Sequence, residues 1–119
     1  MPTIDHARYY RYAELVQLLR GLADAHPRFV SLEMIGRSHE GREIPLLTVT
    51  DTATGPAADK PAFWVDGNIH SVELSASSAC LYFVDWLLKN RDHNPDVARC
   101  LATRTFYVCP RINPDGAEW

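Results

Sequence analysis

The sequence predicts an α/β fold, and three patterns carry that prediction. A helical repeat of apolar residues over positions 9–26 leads into two runs that read as strands. A compact apolar run, Phe63-Trp-Val65, then feeds a long apolar helix over positions 74–88, which is the βα half of an α/β unit. A further run, Thr105-Phe-Tyr-Val-Cys109, reads as a second buried strand.

Each element has a local reason. Tyr12, Leu15, Leu18, Leu19 and Leu22 recur at helical spacing, with Asp5 upstream as a cap and Pro27 just past the end. Positions 29–35 alternate apolar and polar for part of their length and meet Gly36. Glu40-Gly41-Arg42 breaks the pattern before a second run at positions 44–50, so the two runs predict a hairpin. Pro45 has no N–H to donate, which predicts a strand start or an edge. Positions 51–60 are small and polar and contain Gly-Pro, a loop inside one domain. The helix over 74–88 is apolar on nearly every side: Leu74, Leu81, Val84 and Leu88 form one stripe and Cys80, Phe83 and Leu87 flank it, which predicts a largely buried helix. A polar turn at 90–94 precedes one or two helical turns at 95–101.

Composition bounds the function. A chain of 119 residues is too short for two independent domains. With 46% hydrophobic and 23% charged residues it has the composition of a chain that buries a core. The net charge of -3, with Lys60 and Lys89 the two lysines among twelve basic residues, excludes a nucleic-acid footprint or a polybasic membrane anchor. No apolar run approaches the roughly 20 residues that span a bilayer, and Asp5, Arg8, Arg11 and Glu14 interrupt the place of a secretory core. A soluble, cytoplasmic chain is expected. Cys80, Cys100 and Cys109 show no paired or zinc-ribbon spacing and read as reduced, mostly buried thiols.

Two segments could carry chemistry. His70-Ser-Val-Glu73 falls where the strand at 63–65 ends and the helix at 74 begins, the edge at which α/β sheets bind ligands. Histidine and glutamate three apart at a helix start project to the same side, and imidazole nitrogen with carboxylate oxygen is a common zinc pair. Spacing alone leaves both metal ligand and satisfied loop histidine open. His93-Asn-Pro-Asp96 has the same spacing but reads as a turn in which Asn94 or Asp96 caps the following helix. The second segment, Asn113-Pro-Asp-Gly116, is by geometry a tight turn.

Taken in register, these segments resemble the zinc metallocarboxypeptidases, the carboxypeptidase A-like peptidases. Positions 9–27 look like the family's leading helix, and Ile35-Gly-Arg-Ser-His-Glu-Gly-Arg42 like its first hairpin. Positions 61–73 resemble its strand and H-x-x-E metal motif, and Asn113-Pro-Asp-Gly116 its N-P-D-G turn. The resemblance implies a three-layer sandwich, a mixed β-sheet flanked by helices, with residues 1–119 as the N-terminal portion of a zinc carboxypeptidase-like catalytic domain.

By that resemblance His70 and Glu73 are the first two zinc ligands, and the substrate is a peptide whose amide bond is cleaved near a free carboxylate. The third ligand, a histidine, the general-base glutamate, the carbonyl-polarising arginine and the residues that hold the terminal carboxylate have no counterpart here. No catalytic residue beyond the ligands is therefore assigned, and the chain alone is expected to be inactive and to self-associate through exposed edges of the strands at Phe63 and Phe106. Val72, where many digestive members have arginine, bears on subsite preference. Asp66 or Asn68 could orient the imidazole, though a loop hydrogen bond is the commoner role. Arg42 and Arg111 could meet an anionic substrate, though a solvated surface position is the more frequent case.

Two other readings compete. Zinc deacylases resembling aspartoacylases and succinylglutamate desuccinylases share the H-x-x-E pair but usually carry glycine after the histidine, where this chain has Ser71. A metal-free binding module would keep the fold and lose catalysis.

Overall fold

The computed structural model describes residues 2–119. Helix α1 spans Tyr12–Ala25 and buries Leu15, Leu19 and Leu22 completely, three positions of the predicted stripe. Truncating any one of them to alanine removes about 2–5 kcal/mol. Its N-terminus is closed by Glu14, whose carboxylate accepts the Arg11 N–H at 3.3 Å. Asp5 does not cap this helix. It accepts the Ala7 N–H at 2.9 Å and closes a separate turn too far upstream to reach α1.

Strands β1 (Val30–Arg37) and β2 (Glu43–Val49) form the expected antiparallel hairpin, with an irregularity between Met34 and Arg37. Gly41 supplies the positive φ of 86° in its connection. The loop that follows contains two 3₁₀ turns, Thr52–Thr54 and Ala57–Asp59. Strand β3 (Ala62–Asp66) leads to helix α2 (Leu74–Asn90), then helix α3 (Pro95–Thr103), strand β4 (Thr105–Cys109) and a short helix α4 (Pro114–Glu118). Asn94 caps α3 as expected, accepting the Asp96 N–H at 3.0 Å.

The sheet is mixed, in the order β1-β2-β4-β3, with β2 antiparallel to β4 and β3 parallel to β4. Pro45 lies on β2 opposite Met34, while β4 pairs β2 over Leu47–Val49 alone, so the proline occupies a stretch of strand flanked on one side. Register puts Leu47 beside Val108 and Val49 beside Phe106. Together with Val30 these side chains make one face of the sheet, and a continuous core joins that face to Leu15, Leu19 and Leu22 of α1, Leu81, Val84 and Leu88 of α2, and Val97 and Leu101 of α3.

Three expectations are corrected here. The strand at Phe63 is not buried: Phe63 is 58% and Trp64 49% exposed, because β3 is the edge strand and the helical layer does not reach over its outer side. The strand at Phe106 is not an edge, since β2 and β3 flank it. Helix α2 is buried along one stripe, while Ser75, Ala79, Tyr82, Trp86 and Lys89 stay exposed on the other, for want of a packing partner on that side.

Candidate metal centre

Strands β3 and β4 run in parallel, and the loops that leave their carboxyl ends lie side by side. Asp66 pairs with Cys109 at the last rung. Beyond it, the Gly67 N–H donates to the Cys109 carbonyl at 3.0 Å, and the Ile112 N–H donates to the Gly67 carbonyl at 3.1 Å. The ladder thus continues into both loops and fixes their relative height. Residues 67–73 then turn sharply into α2, with Asn68 in the left-handed region at φ 68°. Asn68 is buried, and its Nδ2 donates to the carbonyls of His70 at 3.2 Å and Ser71 at 3.3 Å.

The turn brings His70 and Glu73 together. His70 Nδ1 stands 2.9 Å from Glu73 Oε1, and the same oxygen accepts the His70 backbone N–H at 3.1 Å. This hydrogen bond from the His70 ring holds the Glu73 carboxyl below the usual carboxylate range. Both side chains face solvent, with 76% and 47% of their area exposed. Beside them an open cleft of about 500 Å³ is lined by Asp66, Asn68, Glu73, Ser75 and the small residues Ala76 and Ala79. Asn68 Oδ1 is buried at this place with no hydrogen-bond partner among the described residues.

The pair fits a zinc ion by its chemistry. Nitrogen and oxygen are the donors catalytic zinc takes, and tetrahedral bonds of about 2.0–2.1 Å set neighbouring donors about 3.4 Å apart. The two donor atoms stand 2.9 Å apart on side chains that both face solvent. Among the described residues no group of three or more His, Cys, Asp or Glu side chains forms a metal cage.

The fold and this pair sit within a known frame. A profile of the zinc carboxypeptidases matches residues 15–119. The chain belongs to the zinc carboxypeptidase family. It is 37% identical over 113 residues to carboxypeptidase B of Astacus astacus, covering 95% of this chain and 35% of that protein. Carboxypeptidase A1 of Bos taurus is 31% identical over 114 residues, with 96% of this chain and 26% of the bovine protein covered. The chain therefore spans about a third or less of the length of these relatives.

Among solved structures, thrombin-activatable fibrinolysis inhibitor superposes with a TM-score of 0.83 at 25% identity, over 93% of this chain and 27% of that one. Carboxypeptidase A from Helicoverpa armigera superposes at 0.81 and 26% identity, over 94% and 26%. The α/β class with its mixed sheet flanked by helices is that of these carboxypeptidases.

Asp66 and Asn68, weighed as partners that could orient the imidazole, instead make the local hydrogen bonds that were the commoner expectation. Asp66 accepts the Trp64 indole N–H at 2.6 Å, and Asn68 binds loop carbonyls. It is Glu73 that meets the imidazole. Arg111 is neither a surface residue nor open to a substrate. It is 2% exposed, donates Nη1 to the Tyr10 carbonyl at 2.8 Å and Nε to Ser77 Oγ at 3.3 Å, and burial pushes its pKa down. Arg42 pairs with Glu40 and Asp115.

Asn113-Pro-Asp-Gly116 is more than a tight turn: it opens helix α4, with Asn113 as its cap. The capping grammar, asparagine followed by proline, was the available signal. Cys80 and Cys109 are buried free thiols, pushed up by burial to about 11 and about 12.

Proposed function

We propose that His70 and Glu73 are two of the three protein ligands of a catalytic zinc ion in a metallocarboxypeptidase that hydrolyses the amide bond next to a free C-terminal carboxylate. The observation that carries the reading is the 2.9 Å approach of His70 Nδ1 to Glu73 Oε1 at the carboxyl end of a parallel strand pair. When bound, zinc lowers the pKa of a water toward about 7 and polarises the peptide carbonyl. The chain's own residues hold that place ready. Glu73 orients the His70 ring and its backbone amide, Asn68 clamps the carbonyls of His70 and Ser71, and an open cleft lies beside Glu73.

The third ligand, the general base and the groups that grip the terminal carboxylate are supplied outside residues 1–119. Residues 1–119 alone are accordingly inactive.

Zinc titration and metal analysis of the wild type, His70→Ala and Glu73→Gln test the ligand assignment. We expect at least a tenfold loss of affinity in each variant, and wild-type affinity in His70→Ala would refute it. Full-length gene product assayed on a peptide with a free or an amidated C-terminus, and on N-acyl amino acids, tests the reaction. Cleavage confined to the free-carboxylate peptide is expected; cleavage of the acyl amino acids alone would instead favour a deacylase.

A further inference from the structure

We propose that Asn113 is a positioning residue for His70: through its side-chain amide it fixes the loop that carries the imidazole. The functional meaning rests on the zinc-ligand reading above, but the geometry stands apart from it. Asn113 uses both ends of its amide. Oδ1 accepts the Gly116 N–H at 3.1 Å and caps α4, while Nδ2 donates to the Ile69 carbonyl at 3.2 Å, one residue before His70. Two contacts on opposite atoms leave the amide no free rotation.

Ile69, His70 and Val72 are exposed, so packing does not hold this stretch and its hydrogen bonds must. Asn68 ties the loop to itself, whereas Asn113 ties it to the segment that follows β4.

Gly116 provides the clearance. A Cβ there would lie 2.6 Å from Asn113 Nδ2 and 2.7 Å from the Ser71 Cβ, so any side chain would push the amide and the loop apart. Asp115, between them, anchors α4 to the β1–β2 connection by accepting Ser38 Oγ at 2.7 Å, the Glu40 N–H at 2.9 Å and Arg42 Nη1 at 2.9 Å. A braced path therefore runs from the hairpin through α4 to Ile69.

Asn113→Asp separates the two jobs, since aspartate caps a helix as well as asparagine but cannot donate to Ile69. We expect it to melt close to the wild type, to exchange the amides of residues 70–73 faster, and to bind zinc about tenfold more weakly. Gly116→Ala, which keeps the amide but crowds it, should show the same exchange signature. Unchanged exchange at 70–73 in both variants, whether or not zinc is bound, would overturn the proposal. Loss of zinc binding in neither His70→Ala nor Glu73→Gln would refute the ligand reading and leave the exchange test of Asn113 intact.

Discussion

Gly67 approaches helix α2 so closely that a Cβ on it would lie 2.8 Å from the carbonyl carbon and oxygen of Ala76. Backbone cannot yield as a flexible side chain does, so β3 and the first turns of α2 meet at this separation only with glycine present. Gly67→Ala should cost about 1–3 kcal/mol, the range for forced overpacking. Thermal unfolding of the two proteins measures the difference, and a variant as stable as the wild type would show that the contact is slack.

Arg111 ties three distant elements through neutral acceptors, the Tyr10 carbonyl and the Ser77 hydroxyl, which itself donates to the Pro110 carbonyl. Arg111→Ala should lose about 3 kcal/mol, combining a cavity with unsatisfied acceptors. Arg111→Met retains the packed stem and should lose about 1 kcal/mol. Equal losses in denaturant titrations would mean that packing contributes little.

Acid should unfold the chain through two aspartates. The Arg28 guanidinium, forked onto Asp51 at 2.7 and 2.8 Å, holds that carboxyl below the ordinary aspartate range. Burial works against ionisation of Asp85, but Lys89 at 2.8 Å and His6 at 2.9 Å more than offset it, and its pKa is lowered too. Below the ordinary value of about 3.9 the unfolded chain then binds more protons than the folded one. The stabilisation is complete above that value and disappears as pH falls through the lower folded values. Melting temperature should level off above about pH 5 and drop below about pH 4. Asp51→Asn and Asp85→Asn should each flatten the drop, and an unchanged acid limb would assign it to other carboxylates.

Strand β3 presents an unpaired edge with Phe63 and Trp64 exposed on opposite faces. An apolar edge of this kind is a template for pairing with another strand. Sedimentation of residues 1–119 should show species larger than one chain, and Trp64→Lys should shift them toward monomer. A wild-type chain that stays monomeric throughout would contradict this.

How much of this was readable in advance differs by residue. The buried positions of α1, the hairpin and the Asn94 cap follow from local grammar, because period, turn residues and caps act within a few positions. Spacing and placement at a strand end singled out His70 and Glu73, the family resemblance favoured the ligand reading, and the structure brings their side chains to 2.9 Å. The contact of Asn113 with Ile69 and that of Arg111 with Tyr10 gave no such signal. The paired residues lie 44 and 101 positions apart, and nothing in a local window specifies a contact across that distance.

The sequence by itself determined the α/β class, the order of elements as far as β4, the family resemblance and the choice of His70 and Glu73 as candidate metal ligands. Tertiary structure alone decided that the strand at Phe106 lies inside the sheet, that Arg111 is buried and that the N-P-D-G segment braces the loop before His70. The reason is physical. Periodicity encodes which face of an element is apolar, but whether that face is covered, and what a polar atom reaches, depends on which strand becomes the edge and which loops the parallel pair sets side by side.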